Sequence, residues 1–189
     1  PDIAQKHINL GNALYALEWF DQAIGEFTKA FALDSHAAEA LNNRGVAYQK
    51  KGETEKARES YLEASKVDSR YIQPLINLGT IHYDNGRGDI EKAKEYYTKA
   101  LKIDKESVLA LYNLGLAYCV QGDYTKAQTE LRKAMKAAPD DPEVLYTLGL
   151  SYAAKDNHKT AVSYYEKALE RDPGNATIKT ALETSKRKM

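Results

Sequence analysis

Four histidines and a single cysteine are the side chains in this sequence best suited to hold a metal or to attack a substrate. No two of His7, His36, His82 and His158 are three or four residues apart, which is the spacing that lets two ligands on one helical face share a metal ion. Cys119 has no second cysteine to pair with, which excludes an internal disulfide and a cysteine-based zinc site. We therefore expect neither a metal nor a cofactor.

The carboxylates do not form an acid–base pair either. Glu53, Glu55 and Glu59 stand among lysines, as on a solvated and charge-balanced helix surface. The sequence has no phosphate-binding glycine loop, no strained nucleophile turn and no HExxH motif. We expect no catalytic residues and no enzymatic activity.

Overall charge argues against two further classes of partner. Lys+Arg and Asp+Glu both number 27, whereas a nucleic-acid binder normally carries a basic excess. No apolar run is long enough to span a bilayer, so we expect no direct membrane span. The single cysteine fits a cytoplasmic location, or a peripheral one on a membrane or organelle through a partner. Because the chain begins at Pro1, removal of a signal, an anchor or a catalytic domain stays open.

One set of small residues recurs along the chain at steps of 34, 34, 36 and 34 residues. A constant period in this range indicates a tandem array of supersecondary units. The recurring residues are Gly11, Gly45, Gly79, Gly115 and Gly149, then Ala23, Ala57, Ala93, Ala127 and Ala161, and finally Ala30, Ala64, Ala100, Ala134 and Ala168.

Each repeat has the pattern of two helices joined by a turn. Apolar or small residues fall at repeat positions 4, 7, 8 and 11 and again at 20, 24 and 27, which are helical spacings. Gly52, Gly86 and Gly122 mark three of the turns, where a left-handed residue ends the first helix. We predict hairpins over 4–37, 38–71, 72–107, 108–141 and 142–175, and a capping helix over 176–188.

The repeat resembles that of the tetratricopeptide (TPR) family, most clearly in repeat four, VLALYNLGLAYCVQGDYTKAQTELRKAMKAAPDD. The resemblance implies an all-α, right-handed superhelical solenoid of antiparallel hairpins, with residues 1–189 forming one array. Arg44 and His82 depart from the residues that are usual at their positions. The family also implies that positions 2, 5, 6, 9, 12 and 13 of each repeat line a concave groove, where peptides or helices of partners bind.

Asparagines line one part of that predicted groove. Repeat position 6 is Asn9, Asn43, Asn77 and Asn113, and Asn12 lies on the same face. Asparagine both donates and accepts, so a spaced row can bind the backbone of an extended peptide without requiring a particular sequence. The row resembles the asparagine ladder of the O-GlcNAc transferase repeat domain. The alternative is that these residues only bridge adjacent helices.

A second part of the predicted groove is apolar. The same face turns from polar in repeats one to three to apolar in repeats four and five, so helix 108–120 is apolar nearly all round. Such a patch usually marks a contact surface, although closer helix packing could bury part of it. The predicted partner-binding residues here are Leu109, Tyr112, Leu116, Cys119, Val120, Tyr146 and Leu150.

Two recognition functions are not favoured by the sequence. Arg87-Gly88-Asp89 could engage an adhesion receptor, but it also fits a longer turn with an aspartate at the start of a helix. The lysine and arginine positions of the family's clamp for acidic chaperone tails are not basic here, which disfavours that ligand.

We therefore expect a non-enzymatic adaptor or scaffold that binds a peptide or helix of a partner protein in its groove. One alternative is a self-associating scaffold of the bacterial organelle-assembly or secretion-accessory type, of which a magnetosome scaffold is an example. Another alternative is a substrate-docking segment of a larger enzyme.

Overall fold

The computed structural model describes residues 3–189, apart from the side chain of Asn85. The described residues form eleven α-helices and a short 3-10 turn at Asp84–Gly86, and they include no strand. The prediction of an all-α fold is confirmed. The helices are α1 (Ile3–Ala16), α2 (Phe20–Leu33), α3 (Ala38–Lys50), α4 (Thr54–Val67), α5 (Gln73–Tyr83), α6 (Ile90–Ile103), α7 (Val108–Val120), α8 (Tyr124–Ala137), α9 (Pro142–Ala153), α10 (His158–Arg171) and α11 (Ala176–Lys186).

The chain groups into two compact units, and consecutive helices pack against each other within each unit. The N-terminal unit contains α1 to α5, and the C-terminal unit contains α6 to α11. In both units each helix packs on the next, and first helices of successive hairpins also touch, as α1 touches α3 and α7 touches α9. The prediction that all five repeats form one superhelical array stays a prediction.

The turns inside the hairpins use left-handed backbone, which explains their glycines. Gly52 has φ +78° and Gly122 has φ +75°, a conformation that costs glycine little. The first and last hairpins make the same turn with Glu18 (φ 61°) and Asp156 (φ 56°). The turn is therefore set by the hairpin geometry, and glycine only reduces its strain.

Small residues bring the two helices of a hairpin close together. The second-helix alanines are fully buried, as at Ala127 and Ala161. At repeat position 8 a glycine of the first helix faces a large side chain of the second, so that a Cβ added to the glycine would lie within 2.6 Å of that side chain. These pairs are Gly11 with Phe27, Gly45 with Tyr61, Gly115 with Leu131, and Gly149 with Tyr165.

The two ends of the described chain differ in how they cover apolar residues. Leu10 is 48% exposed, whereas its equivalents Leu78 and Leu148 are fully buried. At the other end, α11 buries Ile178 (2% exposed) against α9 and α10. The predicted capping helix is present, and Asn175 caps its start by accepting hydrogen bonds from the backbone of Thr177 and Ile178.

Candidate functional site

A cavity of about 380 Å³ opens in the C-terminal unit beside α7, α9 and α11. We call it the leucine pocket, because Leu116 and Leu150 lie in its wall at equivalent positions of neighbouring repeats. Leu114 and Leu148 are buried in the hairpin seam, the interface between the two helices of a repeat. Because residues two apart on a helix lie on different faces, Leu116 and Leu150 lie away from that seam. The lining residues are Tyr112, Leu116, Pro142, Glu143, Tyr146, Thr147, Leu150, Asp172, Asn175, Thr177 and Ile178.

The apolar wall of the leucine pocket is only partly covered by the unit itself. Leu150 is 39% exposed, and Leu116 is half-buried. The ring of Tyr146 packs on that of Tyr165, with centroids 5.8 Å apart, and this contact fixes one side of the pocket onto the core. The result is an apolar surface held in place by the core and still open to a ligand.

Polar groups sit around this apolar wall. Burial raises the pKa of Tyr112 above that of a free phenol, so its hydroxyl stays neutral near pH 7. Asp172 accepts a 2.9 Å hydrogen bond from Asn175 Nδ2. Neither Glu143 nor Asp172 forms an ion pair with any residue that the structure describes.

The predicted apolar residues do not all reach the pocket. Tyr112, Leu116, Tyr146 and Leu150 line it, but the other three lie elsewhere on α7. Leu109 and Val120 are 46% and 47% exposed at the two ends of that helix. Cys119 is half-buried against the core, where burial raises the pKa of its thiol to about 11.

The asparagine row of the N-terminal unit is hydrogen-bonded to itself. Asn77 Nδ2 donates to Asn42 Oδ1 (2.9 Å), Asn42 Nδ2 to Asn43 Oδ1 (3.2 Å), and Asn43 Nδ2 to Asn12 Oδ1 (3.0 Å). The chain of amides joins α1, α3 and α5, so these residues do bridge helices. Asn42 is buried, whereas the amides of Asn12, Asn43 and Asn77 keep further hydrogen-bonding capacity toward a ligand.

Two predicted asparagines lie outside this network. Asn9 is exposed and accepts a 3.1 Å hydrogen bond from Gln5 within α1. Asn113 of α7 makes no side-chain hydrogen bond to any described residue. It is half-buried beside the leucine pocket but does not line it.

A second cavity of about 400 Å³ occupies the equivalent place in the N-terminal unit, and we call it the polar pocket. Of the predicted binding residues only Asn43 lines it. Its other lining residues are Ala4, Gln5, Ile8, Asp34, His36, Ala37, Ala38, Glu39, Asp68 and Tyr71.

Sequence reasoning missed the lining residues that lie outside the apolar set. Glu143 stands at repeat position 2, a groove position, but it was not grouped with the leucines because it is charged. Asp172 continues a regular series with Asp34, Asp68 and Asp104 at the ends of second helices. Counting α11 as the first helix of another repeat would have placed Thr177 at position 2 as well.

Two further candidate groups, His7 and Asp89, have structural partners. His7 Nδ1 lies 2.5 Å from Glu26 Oε2, and among the described residues no cluster of three or more His, Cys, Asp or Glu could hold a metal. Asp89 caps α6 by accepting a hydrogen bond from the Lys92 backbone, as the turn interpretation of Arg87-Gly88-Asp89 predicts. No helix in residues 3–189 is long and apolar enough to cross a bilayer.

Comparison with known families identifies the class of protein. A model described as tetratricopeptide repeat matches residues 36–106 and 107–173, and a second, described as TPR repeat, matches residues 11–52. The chain belongs to the tetratricopeptide repeat family, and the family assignment made from the repeat spacing is confirmed. Proteins built of this repeat alone are typically non-enzymatic, and their general role is protein interaction. No protein with a curated description matches the sequence significantly.

Solved structures share the same architecture. The crystal structure of MamA is 25% identical with a TM-score of 0.72, and the match covers 92% of this chain and 94% of MamA. YrrB, described as a TPR protein with an unusual peptide-binding site, is 23% identical with a TM-score of 0.70, covering 98% and 92%. Pseudomonas aeruginosa pilF is 21% identical with a TM-score of 0.82, covering 96% and 88%. These likenesses establish the arrangement of consecutive helix hairpins.

Proposed function

We propose that this chain is a non-enzymatic adaptor or scaffold that binds a short segment of a partner protein in the leucine pocket. The observation that carries the proposal is that Leu116 and Leu150 form a partly exposed apolar wall beside a closed core. An exposed apolar surface of this kind usually marks a contact surface, because a partner that covers it removes apolar area from water.

The physical size of the pocket suits a few side chains of a peptide or helix. Covering an apolar side chain is worth roughly 1.5–3 kcal/mol, so two or three anchors approach the ~8 kcal/mol of a micromolar complex before ordering costs. The peptide-binding site described for YrrB supports the same type of ligand.

The test is to select peptides from a random dodecapeptide library displayed on phage and to map where they bind. We expect amide chemical-shift changes on adding a selected peptide to centre on Leu116, Leu150 and Ile178. Shifts confined to the outward faces of α8 and α10 would contradict the proposal.

Self-association is the second candidate, and exposed apolar residues of the first hairpin favour it. Leu10, Leu17 and Trp19 are 48%, 59% and 53% exposed in the N-terminal unit. They could occupy the leucine pocket of another copy. Sedimentation velocity from 5 to 500 μM distinguishes the two candidates, because only self-association raises the sedimentation coefficient with concentration and is abolished by Leu17→Glu.

A further inference from the structure

We propose that the leucine pocket selects a partner segment in which a lysine or arginine stands next to an apolar residue. The inference rests on the proposed function and specifies its ligand. It follows from one combination of features, namely an apolar wall, two carboxylates at the same opening, and no basic residue in the lining.

The two pocket carboxylates differ from most other carboxylates of the C-terminal unit. Asp123, Glu130 and Asp140 each lie within 2.9 Å of a lysine or arginine of the same chain, which neutralises the carboxylate charge. Glu143 and Asp172 have no such partner among the described residues, although both line the cavity. Arg171 is adjacent to Asp172 in sequence, but it pairs with Asp140 at 2.6 Å.

A lysine or arginine side chain matches this surface along its whole length. Its methylene stem can pack on Leu116, Leu150 and the ring of Tyr146 while its head group reaches a carboxylate. The aromatic rings add a cation–π attraction. Asp172 is half-buried, which strengthens a charge pair there relative to one in bulk water. An acidic or phosphorylated segment would instead meet two like charges.

The polar pocket of the N-terminal unit carries charge of the same sign. Asp34, Glu39 and Asp68 line it together, and no lysine or arginine does. Asp34 lies 3.6 Å from His36, while Glu39 and Asp68 form no ion pair with a described residue. Each unit, considered by itself, thus presents an acidic cavity to a ligand.

The experiment begins with the phage-selected dodecapeptides and asks whether they share a basic residue. We expect lysine or arginine to be enriched directly beside an apolar position. In a synthetic copy of the best binder, replacing that residue with norleucine keeps the stem and removes the charge. We expect the dissociation constant to rise about fivefold to tenfold, and the affinity of the parent peptide to fall as salt is added.

A double-mutant cycle locates the charge pair. In the double variant Glu143→Gln, Asp172→Asn, the norleucine substitution should raise the dissociation constant of the peptide less than twofold, because both partner carboxylates have been removed. Glu143→Gln alone leaves the contacts of Asp172 at the end of α10 unchanged. In this variant the norleucine substitution should raise the dissociation constant by a factor between those of wild type and the double variant. Glu95→Gln removes one negative charge of the same unit outside the pocket, where Glu95 pairs with Lys99 of its own helix, and it should preserve the full effect of norleucine.

Three results overturn the proposal or its foundation in distinguishable ways. Selected peptides without enrichment of basic residues, or an equal norleucine effect in wild type and the double variant, would refute the charge preference while pocket binding stands. If every selected peptide binds the Leu150→Glu variant as tightly as it binds wild type, the proposed function itself fails.

Discussion

The ring of Tyr165 occupies the space that a Cβ on Gly149 would need. A Cβ built at Gly149 would lie 2.4 Å from Cε1 and 2.6 Å from Cδ1 of that ring. Tyr165 is only 1% exposed and also packs on Tyr146 in the leucine pocket, so it has little room to retreat. The glycine that keeps α9 and α10 close therefore also supports one wall of the leucine pocket.

This relationship predicts that Gly149→Ala lowers the free energy of unfolding. Overpacking a closed interior costs about 1–3 kcal/mol, which exceeds the roughly 1 kcal/mol that alanine gains over glycine in a helix. Gly25 is the matched control, because it lies in α2 with no atom within 4 Å of its added Cβ. Gly25→Ala should stabilise by about 0.5–1 kcal/mol. Urea titrations measure both, and a stabilising Gly149→Ala would refute the close-contact explanation.

The asparagines of the two units should respond differently to substitution. Asn77→Ala removes the donor to Asn42 Oδ1, and Asn42 is only 4% exposed, so an unsatisfied acceptor should cost about 1–3 kcal/mol. Asn113→Ala removes no hydrogen bond to a described residue and should change stability by less than about 0.5 kcal/mol. Thermal melts measure the contribution of each asparagine to stability, and a peptide titration measures its contribution to ligand binding. Equal melting temperatures of the two variants would show that the amide chain contributes nothing to stability.

The thiol of Cys119 should be slow to alkylate near neutral pH. Burial disfavours the thiolate and raises the pKa of Cys119 to about 11, so each unit of pH from 7 to 10 should raise the iodoacetamide rate close to tenfold. The rate with a free cysteine peptide should level off above its ordinary pKa of about 8.5. A plateau for Cys119 below pH 9 would mean that the thiol is more exposed than it is in this structure.

The spacing of apolar and small residues was enough to predict the helices, because the same spacing occurs in all five repeats. The boundaries 108–141 and 142–175 fall on the starts of α7 and α9, and the steps between glycines follow directly from the hairpin geometry. The cap over 176–188 could also be anticipated, since Ile178 continues the apolar pattern on one face.

Contacts between helices were beyond the sequence pattern, because they depend on how neighbouring repeats pack. Position within a repeat cannot show that Asn77 bonds to Asn42 rather than to solvent. It also cannot separate Leu116, which lines the leucine pocket, from Cys119, which packs on the core of the same helix. Arg44 departs from the usual leucine, yet it pairs with Glu63 of α4 at 2.7 Å and donates a hydrogen bond to Ser60, contacts that the repeat pattern does not predict.

The most direct test of the proposed binding site is the pair Leu116→Glu and Leu150→Glu in one protein. The partly exposed apolar wall should lose its affinity for apolar anchors, while the hairpin seam, formed by Leu114 and Leu148, is untouched. Ile103→Glu is the matched control, because Ile103 is 41% exposed in the same unit and does not line the pocket. Leu148→Glu, at a fully buried position, should unfold the unit.

The deciding measurement is calorimetric titration of a selected peptide into these variants, with circular dichroism and melting temperature recorded for each. We predict that the double variant keeps its helicity, melts within about 5 °C of wild type, and binds at least 100-fold more weakly, whereas Ile103→Glu binds normally. A folded double variant with wild-type affinity would contradict the account. So would a double variant as unfolded as Leu148→Glu, because these leucines would then belong to the core.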